Sequence, residues 1–185
     1  MPLLKREPDL FPDDLLSTDH PVHPWQVLQT RSRQEKALAR SLREAGIGYY
    51  LPAQERRVRR AGKHLVSFVP LFPGYVFLSG TAADRLYAFK THRTVRTLPV
   101  ADPEALHCEL RSLRTLTLSG APISPHRFLA PGDRIRVVSG PFQGVVGTVV
   151  RARGRLRLVV SVSFLRAAVS VELSREDVDL ERSSR

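Results

Sequence analysis

The sequence predicts an α+β fold, an N-terminal antiparallel sheet flanked by helices, followed by a small all-β barrel. Three observations carry this. Single strands alternate with helical patterns from Trp25 to Leu118, a Gly/Pro/Ser/His stretch runs from Ser119 to Ala130, and short alternating strands fill the residues after Pro131. The boundaries that follow are a disordered extension over 1–24, a first domain over 25–118, a linker over 119–130 and a barrel over 131–182.

The extension holds five prolines and five acidic against two basic side chains, too little apolar surface to order itself. Trp25 to Gln29 reads as a strand ending at the polar run Thr30-Arg31-Ser32-Arg33. In the helix that follows, Ala37, Leu38, Leu42 and Ala45 form one face, and Gly46 ends it. Gly48 to Leu51 re-enters the sheet before Pro52. From Glu55 to Phe68 a basic run turns at Ala61-Gly62-Lys63, predicting a protruding hairpin. Tyr75-Val76-Phe77-Leu78 is apolar on both faces and reads as a central strand. A short helix near 82–89 and a strand near 95–98 come next. Asp102-Pro103-Glu104 supplies an N-cap, a first-turn proline and an acid for a helix whose buried stripe is Leu106, Leu110 and Leu113.

In the second domain Ile135 and Val137 alternate with arginines, and Ser139-Gly140-Pro141 turns before Phe142. Val145 to Val150, the alternating Leu156 to Val162, and Val169, Val171 and Leu173 give further strands. Four or five strands in about fifty residues are too few for two full sheets. Closure into a barrel removes their edges.

Composition narrows the function. The 185 residues are 42% hydrophobic and 25% charged, which sets aside membrane, collagenous and wholly disordered classes. The formal charge of +11 points to polyanions, nucleic acid above all. Residues 25–130 hold 17 basic against 7 acidic side chains, so the surplus lies mostly on the first domain. A single cysteine, Cys108, excludes an intramolecular disulfide framework and suits a reducing compartment. Within its helix it reads as core filler. No apolar stretch approaches the roughly 18 residues of a membrane span, and Lys5-Arg6 precedes no apolar signal segment. The expected location is the cytoplasm.

Trp25 at a strand start, Gln34-Glu35-Lys36 in the helix, Pro52 after an aromatic strand, the basic hairpin and above all PLFPGYVFL (70–78) resemble the N-terminal domain of the NusG family. PGDRIRVVSGPFQGVVGTV (131–149) resembles the family's KOW motif, and LRLVVSVSFLRAAVSVEL (156–173) its remaining strands. The likeness spans about 155 residues and implies an SH3-like KOW barrel for the second domain. Its compactness, VPLFPGYVFL and the strongly basic hairpin look like the specialised, RfaH-like branch.

This resemblance implies a non-catalytic, monomeric transcription elongation factor that modulates pausing and termination, with antitermination on selected operons as the finer reading. By matching positions, Phe72, Pro73, Tyr75 and Phe77 line or support an apolar depression that docks on the largest RNA polymerase subunit. Phe77 reads equally as core alone, whereas the phenol of Tyr75 needs a polar exit and suits a partly exposed surface. Thr91, His92, Arg93 and Thr94 would approach the other large subunit, or be ordinary surface. Arg56, Arg57, Arg59, Arg60 and Lys63 would meet phosphates of upstream or non-template DNA without reading sequence, the alternative being a solvated hairpin. The barrel would recruit Rho or a small-subunit ribosomal protein through Phe164, Leu165 and Arg166. Phe142 either joins that surface or caps the barrel core. Arg151, Arg153, Arg155 and Arg157 could contact RNA or form a solvated hairpin.

A ribosome-associated or RNA-binding KOW protein is the rival reading. No Ser/His/Asp arrangement, Walker loop, GxGxxG or HExxH is present, so no enzyme, cofactor or metal is expected. His20 and His23 lack neighbouring ligands, and a nuclease would need an acidic metal cluster that the sequence does not offer.

Overall fold

The computed structural model describes residues 8–60, 63–126, 135–152, 154–173 and 180–182, with the backbone alone for 57–60, 63–65, 152 and 180–182. The chain forms two compact units, Met1–Pro103 and Glu104–Arg185.

The first unit is built on five antiparallel strands: β1 (Leu10–Phe11), β2 (Trp25–Thr30), β3 (Gly48–Tyr50), β6 (Tyr75–Ser79) and β7 (Thr94–Pro99), in the spatial order β1-β3-β6-β2-β7. The predicted central strand is β6, between β3 and β2, and it pairs Phe77 with both Val27 and Tyr50. Helices α1 (Glu35–Glu44) and α2 (Ala82–Lys90) contribute to one apolar cluster over this sheet. Leu28, Val76, Leu78 and Tyr49 meet Leu38, Ala39 and Leu42 of α1 and Ala88 of α2 there. The buried positions of α1 are Glu35, Leu38, Ala39 and Leu42, not the expected Ala37 and Ala45. Spacings of three and four residues put those four on one stripe. Ala45 has already left the helix as its C-cap.

Residues 1–24 were expected to be disordered, yet from Pro8 onward they are laid against the sheet. Leu51 donates its backbone N–H to Asp9 O at 2.7 Å, and Tyr49 its hydroxyl to Pro8 O at 2.9 Å. Leu10 and Leu16 are buried, and the ring of Phe11 stacks on Tyr49. Average composition hid the cause. A few apolar anchors and main-chain bonds to a waiting strand suffice where a core of the segment's own could not form.

β4 (Ala53–Arg60) and β5 (Lys63–Pro70) form a separate two-stranded sheet, in register from Ala53 opposite Pro70 to Arg60 opposite Lys63. Eight residues per strand at about 3.3 Å each make an arm of roughly 26 Å. The expected turn at Ala61-Gly62 lies outside the described residues.

The second unit carries α3 (Pro103–Leu118), β8 (Ser124–His126), β9 (Ile135–Val137), β10 (Val146–Ala152), β11 (Arg155–Val162), β12 (Ala167–Leu173) and β13 (Leu180–Arg182). Its six strands are antiparallel in the order β13-β9-β10-β11-β12-β8. Two boundaries differ from expectation. α3, assigned to the first domain, clusters with the strands that follow it. Part of the presumed linker is β8, which pairs Ser124, Pro125 and His126 with β12. Leu106, Leu110 and Leu113 are buried as expected, but so are His107, Glu109, Ser112 and Leu116, more than one stripe of the helix. Cys108, read as core filler, is exposed instead. It lies one residue beyond the buried His107 and so turns away from that side.

Gly147 stands close against the neighbouring strand. A Cβ there would stand 2.6 Å from Val159 O and 2.9 Å from Leu158 Cδ1. Gly147→Ala is therefore expected to cost about 1–3 kcal/mol, read as a lower urea midpoint with an unchanged slope.

Candidate functional site

The PLFPG segment leaves β5 and turns into β6 under close control. Leu71 donates its N–H to Pro52 O at 2.8 Å, and Tyr75 its N–H to Phe72 O at 3.2 Å. Gly74 adopts φ +85°, a left-handed conformation that favours glycine. Its N–H is taken by Glu35 Oε1 at 2.7 Å, and its carbonyl accepts from the N–H of Thr30 at 2.8 Å. Glu35 is buried at the start of α1, so a carboxylate at a helix N-terminus also pins this turn.

This sorts the four predicted docking residues. Phe77 is fully buried, and Phe72, 6% exposed, meets it edge to face at 6.4 Å. Both are support. Pro73 is exposed and Tyr75 half-buried, so of the four these two present accessible surface. Glu35→Ala would strip Gly74 of a charged acceptor, and a stability loss of about 1.5–3 kcal/mol by denaturant unfolding is expected.

The second predicted segment follows α2. Thr91 Oγ1 donates to Ala88 O at 2.7 Å and accepts the N–H of Arg93 at 3.3 Å. Thr94 is buried, its hydroxyl donating to Ala88 O at 3.2 Å. His92 is exposed at φ 57° and Arg93 is half-buried, so surface comes from these two and from half-buried Thr91 rather than from Thr94. Arg31 donates its N–H to Arg93 O at 2.9 Å. Arg31, Ser32 and Gln34 thereby join Thr91, His92 and Arg93 around an open pocket of about 580 Å³.

Sequence reasoning read Thr30–Arg33 only as the end of a strand. The structure makes Thr30 and Arg31 the joint between both segments, since Thr30 holds Gly74 and Arg31 holds Arg93. No local pattern announces this.

On the hairpin, Arg56 is exposed opposite Ser67, while Arg57, Arg59, Arg60 and Lys63 lie opposite Val66, His64, Lys63 and Arg60 along the paired backbone. The side chains of those four are outside the described residues.

In the second unit the turn after β9 is fixed by Gly144, at φ +86°, whose N–H reaches Val137 O at 2.8 Å. Phe142 is 5% exposed, which favours the core-capping reading. Ser163–Leu165 forms a single 3-10 turn ending at Arg166, φ 49°. Phe164 and Leu165 are half-buried and Arg166 is exposed. Among the arginines near Gly154, Arg155 grips both carboxylate oxygens of Glu172 at 2.8 Å, and Arg157 Nε donates to Ser170 Oγ at 3.0 Å. The hydrogen bond and charge of Glu172 hold the Arg155 guanidinium above its ordinary pKa. Both side chains are thus engaged within the protein. Arg151 is exposed, and Arg153 lies outside the described residues. Among the described residues no group of three His, Cys, Asp or Glu could hold a metal ion.

Comparison with known proteins agrees with the resemblance in the sequence. A family model described as "NusG: Transcription termination factor nusG" matches residues 23–102. The Transcription termination/antitermination protein NusG of Buchnera aphidicola is 30% identical, covering 84% of this chain and 94% of its own. That of Pasteurella multocida is 31% identical, covering 84% and 93%. A solved structure, "Domain interaction in Thermotoga maritima NusG", aligns at 20% identity with a TM-score of 0.45 over 84% of this chain and 96% of that one. With a 30% identical relative matched over nearly its whole length, this chain belongs to the NusG family.

Proposed function

We propose that this NusG-family protein acts without catalysis on transcription elongation, by binding RNA polymerase and modulating pausing and termination. Pro73 and Tyr75 meet one large subunit, and Thr91, His92 and Arg93 the other. The hairpin residues Arg56, Arg57, Arg59, Arg60 and Lys63 run beside upstream or non-template DNA. The loop of Phe164, Leu165 and Arg166 recruits a second protein, Rho or a small-subunit ribosomal protein.

The observation that carries this reading is the joint at the end of β2, where consecutive residues bond the two segments proposed to touch polymerase. Engagement of Arg155 and Arg157 within the second unit weighs against the rival RNA-binding barrel. The finer reading is antitermination on selected operons, by a monomer working in the cytoplasm. No described helix is long and apolar enough to cross a membrane.

The test is capture of core RNA polymerase by the full chain at moderate salt, followed by transcription across terminators with the chain added. Capture together with greater read-through on some templates is expected. A folded chain that captures no polymerase refutes the proposal, and capture with more termination refutes only the antitermination part.

A further inference from the structure

Three strands of the first unit each put one residue into a row across the sheet. Gln29 of β2 lies directly opposite Tyr75 of β6 on one side and Arg96 of β7 on the other, so the three side chains share a face. Two residues along that face, Val27 lies between Phe77 and Leu98 in the same manner, with Val27 and Phe77 fully buried. The first row is therefore the polar margin of an apolar one: Tyr75 and Gln29 are half-buried and Arg96 is exposed.

Arg96 donates its Nε–H to Gln29 Oε1 at 2.6 Å, and its two terminal nitrogens have no acceptor among the described residues. The nature of the acceptor matters. In the second unit Arg155 is held by the carboxylate of Glu172, which neutralises it, whereas the amide of Gln29 orients Arg96 without carrying any charge. The positive charge of Arg96 therefore stays unbalanced by its own anchor. Engagement of Nε also leaves Nη1 and Nη2 side by side, the edge on which a carboxylate is taken by two parallel bonds. A side chain already fixed in place loses less rotamer freedom when a partner meets it. A carboxylate suits this place better than a phosphate, because the row shares its face with Tyr75 and Phe77, while the arginine-rich arm is a separate sheet of β4 and β5.

We propose that Arg96, oriented by Gln29, receives an aspartate or glutamate side chain of the polymerase subunit that docks on Tyr75. This rests on the reading of Pro73 and Tyr75 as a polymerase-docking surface, and it adds the charge that the subunit must present beside the Tyr75 ring. Gln29 is a positioning residue, which fixes the guanidinium and leaves its charge intact.

The test uses the full chain and core RNA polymerase free of nucleic acid, so that the anions on offer are carboxylates. Affinity is measured at several salt concentrations for the parent, Arg96→Gln and Gln29→Glu. Arg96→Gln is expected to weaken capture about tenfold and to flatten its dependence on salt. Gln29→Glu keeps an acceptor for Nε, so its urea midpoint should be no lower than the parent's. Capture should nevertheless weaken at least as much, since the new carboxylate neutralises Arg96 and repels the partner's acid. A merely structural bond between Gln29 and Arg96 would leave capture by that variant untouched. Unchanged capture by either folded variant overturns the proposal, as does a loss confined to binding of a DNA duplex, which would make Arg96 a phosphate contact. If Gln29→Glu does not fold, Arg96→Glu is put through the same comparison and should weaken capture at least as far as Arg96→Gln. Tyr75→Ala reads the docking surface separately. Loss of capture by Tyr75→Ala alone would leave that surface standing and remove the acid receptor, whereas a folded parent that captures no polymerase would overturn both.

Discussion

Phe77→Ala is expected to lower the unfolding free energy by about 3–5 kcal/mol, because it removes a fully buried ring together with its edge-to-face contact with Phe72. Tyr75→Ala, two residues earlier on the same strand, should behave in the opposite manner. Its side chain is only half-buried, so most of the stability survives while polymerase capture weakens by roughly thirtyfold, the scale of an aromatic interface anchor worth about 2 kcal/mol. Phe72→Ala should show both defects, since Phe72 supports the surface and fills the core. The pattern is read by pairing thermal or urea unfolding with capture of core polymerase for each variant. If Tyr75→Ala captures polymerase as well as the parent does, the docking surface lies elsewhere.

Replacing Arg56, Arg57, Arg59, Arg60 and Lys63 with glutamine is expected to remove most of the salt-dependent DNA affinity. Five phosphate contacts at a slope of about −0.9 each predict that affinity for a DNA duplex falls roughly 500-fold between 50 mM and 200 mM salt. Each contact removed should flatten the slope by about 0.9. Base sequence should matter little, because point charges on an extended arm register phosphate and not base edges. Affinity measured by fluorescence anisotropy at several salt concentrations decides the matter. A parent slope near zero would show that the hairpin is solvated surface and nothing more.

The elements of the fold were legible because each is written in local pattern. Tyr75 to Leu78 reads as a central strand from four consecutive apolar residues, and β6 is central in the sheet. Asp102-Pro103-Glu104 reads as a helix start, and α3 begins at Pro103. What stayed hidden lies in pairings across long stretches of chain. Glu35 reaches Gly74 across 39 residues, and Ser163 reaches Glu109 across 54. An acid in a helix's first turn satisfies the local rules whether or not it also holds a distant turn. The same gap bears on α3, which the sequence places with the first domain and which clusters with the strands that follow it. Its apolar stripe showed that it was buried, while Glu109 and Ser112, which bond Ser163 and Val146, carry no local signal of those partners. Composition misled for residues 8–24, where three apolar side chains outweigh the prolines once a strand is available to pair with. Among the expected site residues, the partial exposure of Tyr75 was legible from its phenol, whereas the burial of Phe72 and Thr94 was not. Pro73, Tyr75, His92 and Arg93 offer surface, whereas Phe72, Phe77 and Thr94 hold it up.

The joint at Thr30 and Arg31 has a consequence for avidity. A partner that touches the PLFPG turn finds the Thr91–Arg93 turn already presented at a fixed offset, so its second contact forms as an intramolecular step at high effective concentration. Two contacts, each too weak to persist alone, can then give a long residence time without either becoming tight. Slackening the joint, with both contacts chemically intact, would shorten that residence time chiefly through faster dissociation.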